Sequence, residues 1–118
     1  MVTFNYYAAQ ARADALIKKR GYKAYLRRAA MADRPCTAVE VTENPTPRVG
    51  AIINPTPRIF LIAPIGLTLP PNNEKDSLVT LVYLSDPEVV SEVLRIIAPP
   101  ERLDGAGVVI YWEIQVAL

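Results

Sequence analysis

The sequence predicts a mainly β protein: a small antiparallel barrel or sandwich of about six or seven strands behind one N-terminal α-helix. Three observations carry this expectation. Apolar residues repeat at helical spacing only before Gly21 and alternate with period two after it. Turn-forming clusters recur at short intervals through the rest of the chain. The 11 prolines fall mostly in short groups, which fits strands broken by stiff turns and not a helical bundle, because proline lacks the backbone donor. With 118 residues, 51% of them hydrophobic, the chain is long enough to bury one core, so a single domain over 1–118 is expected. Its parts would be a helix within 1–21 and a barrel over 22–118.

The helix is read from Tyr6 to Arg20. Asn5 is placed to cap its first turn, or Thr3 if it starts earlier. Ala9, Ala13, Leu16 and Ile17 form its apolar stripe. Lys18, Lys19 and Arg20 fall in the last turn, where the helix dipole favours cations, and Gly21 sits where a helix ends. A first strand follows over Tyr22–Arg28, with Ala24 and Leu26 inward and Lys23, Tyr25 and Arg27 outward. Asp33-Arg34-Pro35 marks a turn. The stretch 37–42 alternates again, with Val39 and Val41 expected to face the core.

Asn44-Pro45-Thr46-Pro47-Arg48 is echoed by Asn54-Pro55-Thr56-Pro57-Arg58. Each X-Pro step holds its predecessor extended, so the stretch 44–58 reads as a projecting hairpin braced by proline or as an ordinary loop. Ile59–Ile62 is a buried strand ended by Pro64 and Gly66. The run 70–76 is a polar turn, 78–84 a strand, Ser85-Asp86-Pro87-Glu88 the start of a helix or a turn, and 89–97 a strand. Pro99–Gly107 is read as a loop. Val108–Val116 is the last strand, with Val108, Ile110, Trp112, Ile114 and Val116 inward, and it is expected to pair near the first strand and close the sheet.

The chemistry-bearing residues exclude more than they offer. Without histidine there is no Ser-His or Cys-His pair and no common metal site. The five glycines form no phosphate loop. The single cysteine, Cys36, rules out an intrachain disulfide and reads as a small buried residue. Glu74, Asp76, Asp86, Glu88 and Glu92 read as a solvated acidic rim. An enzyme is not expected, and neither is a cofactor or a metal. The first residues lack the layout of a signal peptide and no apolar run is long enough to span a bilayer. The expectation is a soluble protein made in the cytoplasm, with no membrane partner.

Net charge is only +1, but it is polarised: residues 1–34 hold eight basic and two acidic groups, the remainder five basic and ten acidic. A chain charged in this way can stack head to tail or face a polyanion. Lys18, Lys19, Arg20, Lys23, Arg27 and Arg28 form the candidate basic surface, facing a partner or DNA. The bland alternative is a solvated helix face and strand edge. Tyr25 beside Lys23 and Arg27 is the one group that suits base stacking, so a single-stranded nucleic-acid-binding barrel using Lys23, Tyr25, Arg27 and Arg28 is the alternative function.

A set of collinear segments resembles the head–tail connector and head-closure proteins of tailed bacteriophages. Ala13-Asp14-Ala15-Leu16-Ile17-Lys18-Lys19-Arg20-Gly21, running on to Leu26-Arg27-Arg28, resembles their opening helix and strand. Thr37-Ala38-Val39, Gly50-Ala51-Ile52-Ile53, Arg58–Ile62, Asp76-Ser77-Leu78-Val79 after Pro71, Val93–Pro99 and Val109–Val116 resemble the later segments in order. The chain departs from the family at Pro55-Thr56-Pro57, where an acidic residue and a glycine are usual.

The resemblance implies a β-barrel assembled as a homo-oligomeric ring, a hexameric stopper or a dodecameric adaptor. Such a ring lies in the virion neck between the portal or adaptor protein and a tail terminator or tail tube protein. It would close the head on its packaged double-stranded DNA. On this reading Arg48, Val49, Ile52, Ile53 and Arg58 are the candidate ring or channel interface, because the hairpin around 44–58 would project from the barrel.

Overall fold

The computed structural model describes residues 5–41, 58–67 and 69–117. One helix, α1 (Tyr6–Arg20), precedes seven strands: β1 (Tyr22–Arg28), β2 (Arg34–Val41), β3 (Arg58–Ile62), β4 (Asp76–Leu81), β5 (Val90–Ile96), β6 (Glu101–Gly105) and β7 (Val108–Ala117). Neighbouring strands are antiparallel throughout. Six of them close into a barrel in the order β3-β2-β1-β4-β5-β7, with β7 returning to β3, and β6 is an extra strand on β7.

The helix forms where its caps and composition place it. The Asn5 side chain accepts a hydrogen bond from the Ala8 N–H at 3.1 Å, and the Gly21 N–H closes the last turn on the Ile17 carbonyl at 2.6 Å. Gly21 is fixed by crowding: a Cβ there would lie 2.6 Å from the Ala38 carbonyl oxygen and 2.7 Å from that of Ile17. The inward face differs from the expected stripe. Ile17 and Asp14 are buried, while Leu16 is 56% exposed. The reason is a polar dock: Asp14 accepts the Ile65 N–H at 3.1 Å and pairs with Lys18 at 2.9 Å, pinning α1 to the turn that follows β3.

In β1 the expected alternation holds, with Ala24 and Leu26 buried. In β2 it is inverted. Arg34 and Ala38 are buried and Val41 is exposed, so Arg34, Cys36 and Ala38 face in, with Glu40 on the same side of the strand but exposed at its end, and Val39 and Val41 lie on the other side. Register decides this: Ala38 lies opposite Tyr22 and Cys36 opposite Ala24, which puts β2's small residues on the face that carries Leu26. Arg34 and Pro35 belong to β2 itself, and the turn before it is Ala29–Asp33.

The last strand shows the predicted faces, with Val108, Ile110, Ile114 and Val116 buried, and Trp112 packed against the core. Its partners differ from expectation: β7 pairs with β3, β5 and β6, not with β1. One edge of β7 is taken by β3, from Arg58↔Val116 to Ile62↔Trp112. The other edge is shared. β5 pairs with Ala117 and Val116, the Ile97 N–H after it donates to the Gln115 carbonyl at 2.9 Å, and β6 takes Glu113 back to Val108.

β5 and β6 therefore run in the same direction along one edge of β7, interrupted around Pro99-Pro100, whose missing donors break the ladder. The stretch read as a loop over Pro99–Gly107 holds β6 because the free edge of β7 templates it. All of β6 up to Asp104 is exposed, so no apolar alternation announces it.

The interior is filled by Ala24, Leu26, Ala38, Phe60, Ile62, Leu78, Leu94, Ile96, Ile114 and Val116. Small side chains on β1 and β2 leave room for large ones on the strands across from them, as a barrel this narrow requires. The first half of β7, with β6 beside it, extends past the barrel as a two-stranded arm. α1 packs along this arm: Gln10 donates to the Val109 carbonyl at 2.9 Å, and Tyr6 occupies the space a side chain at Gly105 would need.

Candidate functional site

Along β1 and β4 the inward positions grade from polar through apolar to polar, and each end of the barrel carries an ion cluster. At one end Asp76, the first residue of β4, has a fully buried side chain. Arg28 grips it with two hydrogen bonds of 2.8 and 3.0 Å. Arg34 reaches it from β2 at 2.7 Å, and the Asn72 N–H donates to it at 2.9 Å. Arg34 also donates to the Leu69 carbonyl at 2.7 Å, while its Nε is buried with no acceptor. Burial alone would push the Asp76 carboxyl up. The hydrogen bonds from Arg28, Arg34 and Asn72 together hold it below the ordinary carboxylate range.

At the opposite mouth the ratio of charges is reversed. Arg58, the first residue of β3, forms a two-bond fork with Glu40 of β2 at 2.7 and 3.1 Å. It also reaches both carboxylate oxygens of Glu92 on β5 at 2.9 Å. β3 and β5 are not neighbours: β7 lies between them, and its ladder with β5 covers only Arg95 and Ile96. The Arg58–Glu92 pair thus joins two strands that share no ladder among the described residues. The Arg58 hydrogen bonds lower the pKa of Glu40. These side chains are about one-third exposed, unlike those around Asp76.

Beside this mouth lies a groove of about 840 Å³ whose lining includes Arg20, Tyr22, Phe60, Arg58, Tyr83 and Glu92. Its lip is apolar and open. Tyr22 is 63% exposed, Tyr83 69% and Leu84 83%, and Val82 and Val89 are about half exposed. The Tyr22 and Tyr83 rings meet edge to face at 5.2 Å between centroids. Leu84 is held out by a left-handed backbone, φ 54°, in the turn that also contains the cis Asp86–Pro87 bond.

The predicted basic surface resolves into two kinds of residue. Lys18 pairs with Asp14. Lys23 pairs with Glu88 at 2.8 Å and sits over the Tyr25 ring at 5.2 Å, while the Tyr25 hydroxyl donates to the same Glu88 at 2.5 Å. These hydrogen bonds raise the pKa of Lys23 and lower that of Glu88. Arg27 forks onto Asp33 at 3.2 and 3.1 Å, and Arg28 is committed to Asp76. Lys19 and Arg20 make no ion pair among the described residues. Of the candidate ring interface, Arg58 is the mouth ion just described. Arg48, Val49, Ile52 and Ile53, with the rest of the hairpin before Arg58, lie outside the described residues.

Sequence reasoning missed the buried cluster. Asp76, expected with Glu74, Asp86, Glu88 and Glu92 in a solvated acidic rim, instead has a side chain with zero exposure. The signal was present: Asp76 shares the parity of Leu78, Arg28 that of Leu26, and Arg34 that of Ala38. The apolar lip was also missed, because Val82–Leu84 continue the β4 pattern past the point where the strand ends.

What these observations define is a small closed barrel, filled by its own side chains and tied by ions at both ends. Among the described residues no three His, Cys, Asp or Glu side chains are grouped to hold a metal, and no helix is long and apolar enough to cross a membrane. Cys36 packs against the core, and burial pushes its thiol up to about 12. Comparison of the chain with protein-family models, curated proteins and solved structures finds no match.

Proposed function

We propose that the chain is a structural subunit of a tailed-bacteriophage neck and not an enzyme. It forms a homo-oligomeric ring between the portal or adaptor and the tail, closes the DNA-filled head and presents the surface on which the tail docks. The observation that carries this reading is the division of the molecule into an inside whose buried charges are paired and an outside that leaves apolar surface open. The interior is packed, and its polar ends are consumed by Asp76 and Arg58 with their partners. The apolar lip around Tyr83 and Leu84 stays open. Such a molecule works through its exterior, as a component of an assembly does. The carboxylates Asp76, Glu40 and Glu88 are all held below their ordinary range, so none is a general base poised near neutral pH. The collinear resemblance to neck proteins supplies the particular assembly.

The alternative, a single-stranded nucleic-acid-binding barrel, draws less support. Lys23, Tyr25, Arg27 and Arg28 each bond to a carboxylate of the same chain, and a phosphate would have to displace those partners. A titration with oligonucleotides at low salt separates the two, since binding through these cations would weaken steeply as salt rises. The direct test is particle assembly without this protein: heads are expected to fill, lose their DNA and fail to join tails, with all three defects restored by supplying it. Heads that keep DNA and accept tails in its absence overturn the proposal. Negative-stain images of restored necks would give the symmetry of the ring.

A further inference from the structure

The strongest unassigned features lie at opposite ends of α1. At its C-terminal end are the apolar lip and two cations that make no ion pair among the described residues, Lys19 and Arg20; Arg20 lines the same groove as Tyr22, Tyr83 and Leu84. Asp86 is exposed in the lip's own turn, and Glu88 beside it is taken by Lys23. At the N-terminal end of α1 lies the arm made by β6 and the first half of β7. The 15 residues of α1 separate the two features by roughly 22 Å at 1.5 Å per residue.

The arm carries an electrostatic anomaly. Glu101 and Glu113 are directly opposite each other in the β6–β7 ladder, and neither makes an ion pair among the described residues. Like charges facing across a ladder destabilise it. Leu103 and Tyr111 are the next facing pair on that side, and Leu103 is half exposed. The arm's outer face is thus apolar at its centre and anionic beside it. The lip is apolar, with Lys19 and Arg20 on its helix side and Asp86 in its turn.

We propose that the lip of one copy receives the outer face of the β6–β7 arm of a second copy. Tyr22, Val82, Tyr83, Leu84 and Val89 would cover Leu103 and Tyr111, while Lys19 and Arg20 neutralise Glu101 and Glu113. This deepens the neck-ring reading by naming the two surfaces that meet, and it rests on that reading only for the claim that the contacts close into a ring. The surfaces are different, so the contact is heterologous and propagates from copy to copy until the rotation closes. Size supports a second copy as occupant. The five lip residues expose roughly 600 Å² at about 200 Å² for a large side chain, against about 800 Å² per partner in a stable interface. The rest would come from the charged rim.

The test is self-association of the purified full chain, followed by analytical ultracentrifugation up to about 100 μM. The wild-type chain is expected to form concentration-dependent oligomers. Leu84→Asp should reduce them to monomers with an unchanged circular dichroism spectrum and melting temperature. K19E/R20E should weaken association about tenfold, and so should E101K/E113K. The four changes together should restore it, because the exchanged charges meet again. A monomeric wild-type chain, or oligomers that Leu84→Asp leaves intact, or charge exchanges that fail to restore each other, would overturn the lip-to-arm contact. The neck reading would be untouched by those results, since it stands or falls on heads and tails assembled without the protein.

Discussion

The two ends of the barrel use the same chemistry in opposite ways. At one end two arginines share a carboxylate that has no exposure. At the other, two carboxylates share an arginine that is about one-third exposed. The first cluster sits where β1, β2 and β4 are paired by continuous ladders, so its ions are desolvated by structure that exists without them. The second sits beyond the part of the β5–β7 ladder that the described residues form, and there the ions themselves join β3 to β5. Burial makes the first intolerant of losing one partner, because the remaining charge is stranded in low dielectric. Exposure makes the second replaceable, because water takes over what a lost partner gave.

The largest effect should come from the buried end. Asp76→Ala leaves Arg34 buried without its carboxylate and is expected to destabilise the fold by about 3 kcal/mol or more, measured by urea unfolding. An Asp76 substitution no more costly than one at Glu92 would erase the distinction between the ends. Next is Gly21→Ala, where the new Cβ would press on the backbone carbonyls of Ala38 and Ile17. A loss of about 1–3 kcal/mol is expected from overpacking. Because both obstacles are backbone, a neutral result would mean that α1 can shift on β2.

At the exposed mouth, Glu92→Gln should cost about 1 kcal/mol or less. Its local signature is sharper than its global one: amide exchange in β5 should quicken relative to β4, since the seam between β5 and β3 loses its ion bridge. Acid provides a further comparison. Asp76 and Glu40 have folded-state pKa values below their unfolded ones. Their stabilisation is therefore complete above the unfolded value of about 4 and is lost as pH falls through the depressed folded values. Stability should be level near neutrality and fall in acid, and Asp76→Asn should flatten more of that fall than Glu40→Gln. The smallest effect concerns Cys36, whose thiol burial raises to about 12. A thiol reagent near pH 8 should label it no faster than the chain unfolds.

Much of the fold was legible because it follows from local rules. Asn5, the run 6–20 and Gly21 give α1 its caps and body without reference to anything else. The alternation in β1 and β7 places their core faces correctly. The failures share one cause. In β2 the larger aliphatics, Val39 and Val41, point outward because the register with β1 brings Ala38 and Cys36 inward. β6 is a strand only because β7 offers it an edge. Asp76 is hidden only because Arg28 and Arg34 arrive from two other strands. Of the six residues of the candidate basic surface, four are paired with carboxylates, at separations from 4 to 65 residues. Asp14 and Asp33 lie within six residues of Lys18 and Arg27, but no local window holds Glu88 or Asp76.

By itself the sequence determined the helix, the strand-rich body, the apolar faces of its first and last strands and the absence of histidine chemistry. Each depends on spacing within a few residues. The tertiary structure alone decided which strands close the barrel, which charges are consumed inside it and which apolar residues are left outside. Those outcomes depend on register between segments distant in the chain, and register is fixed by packing the whole interior at once.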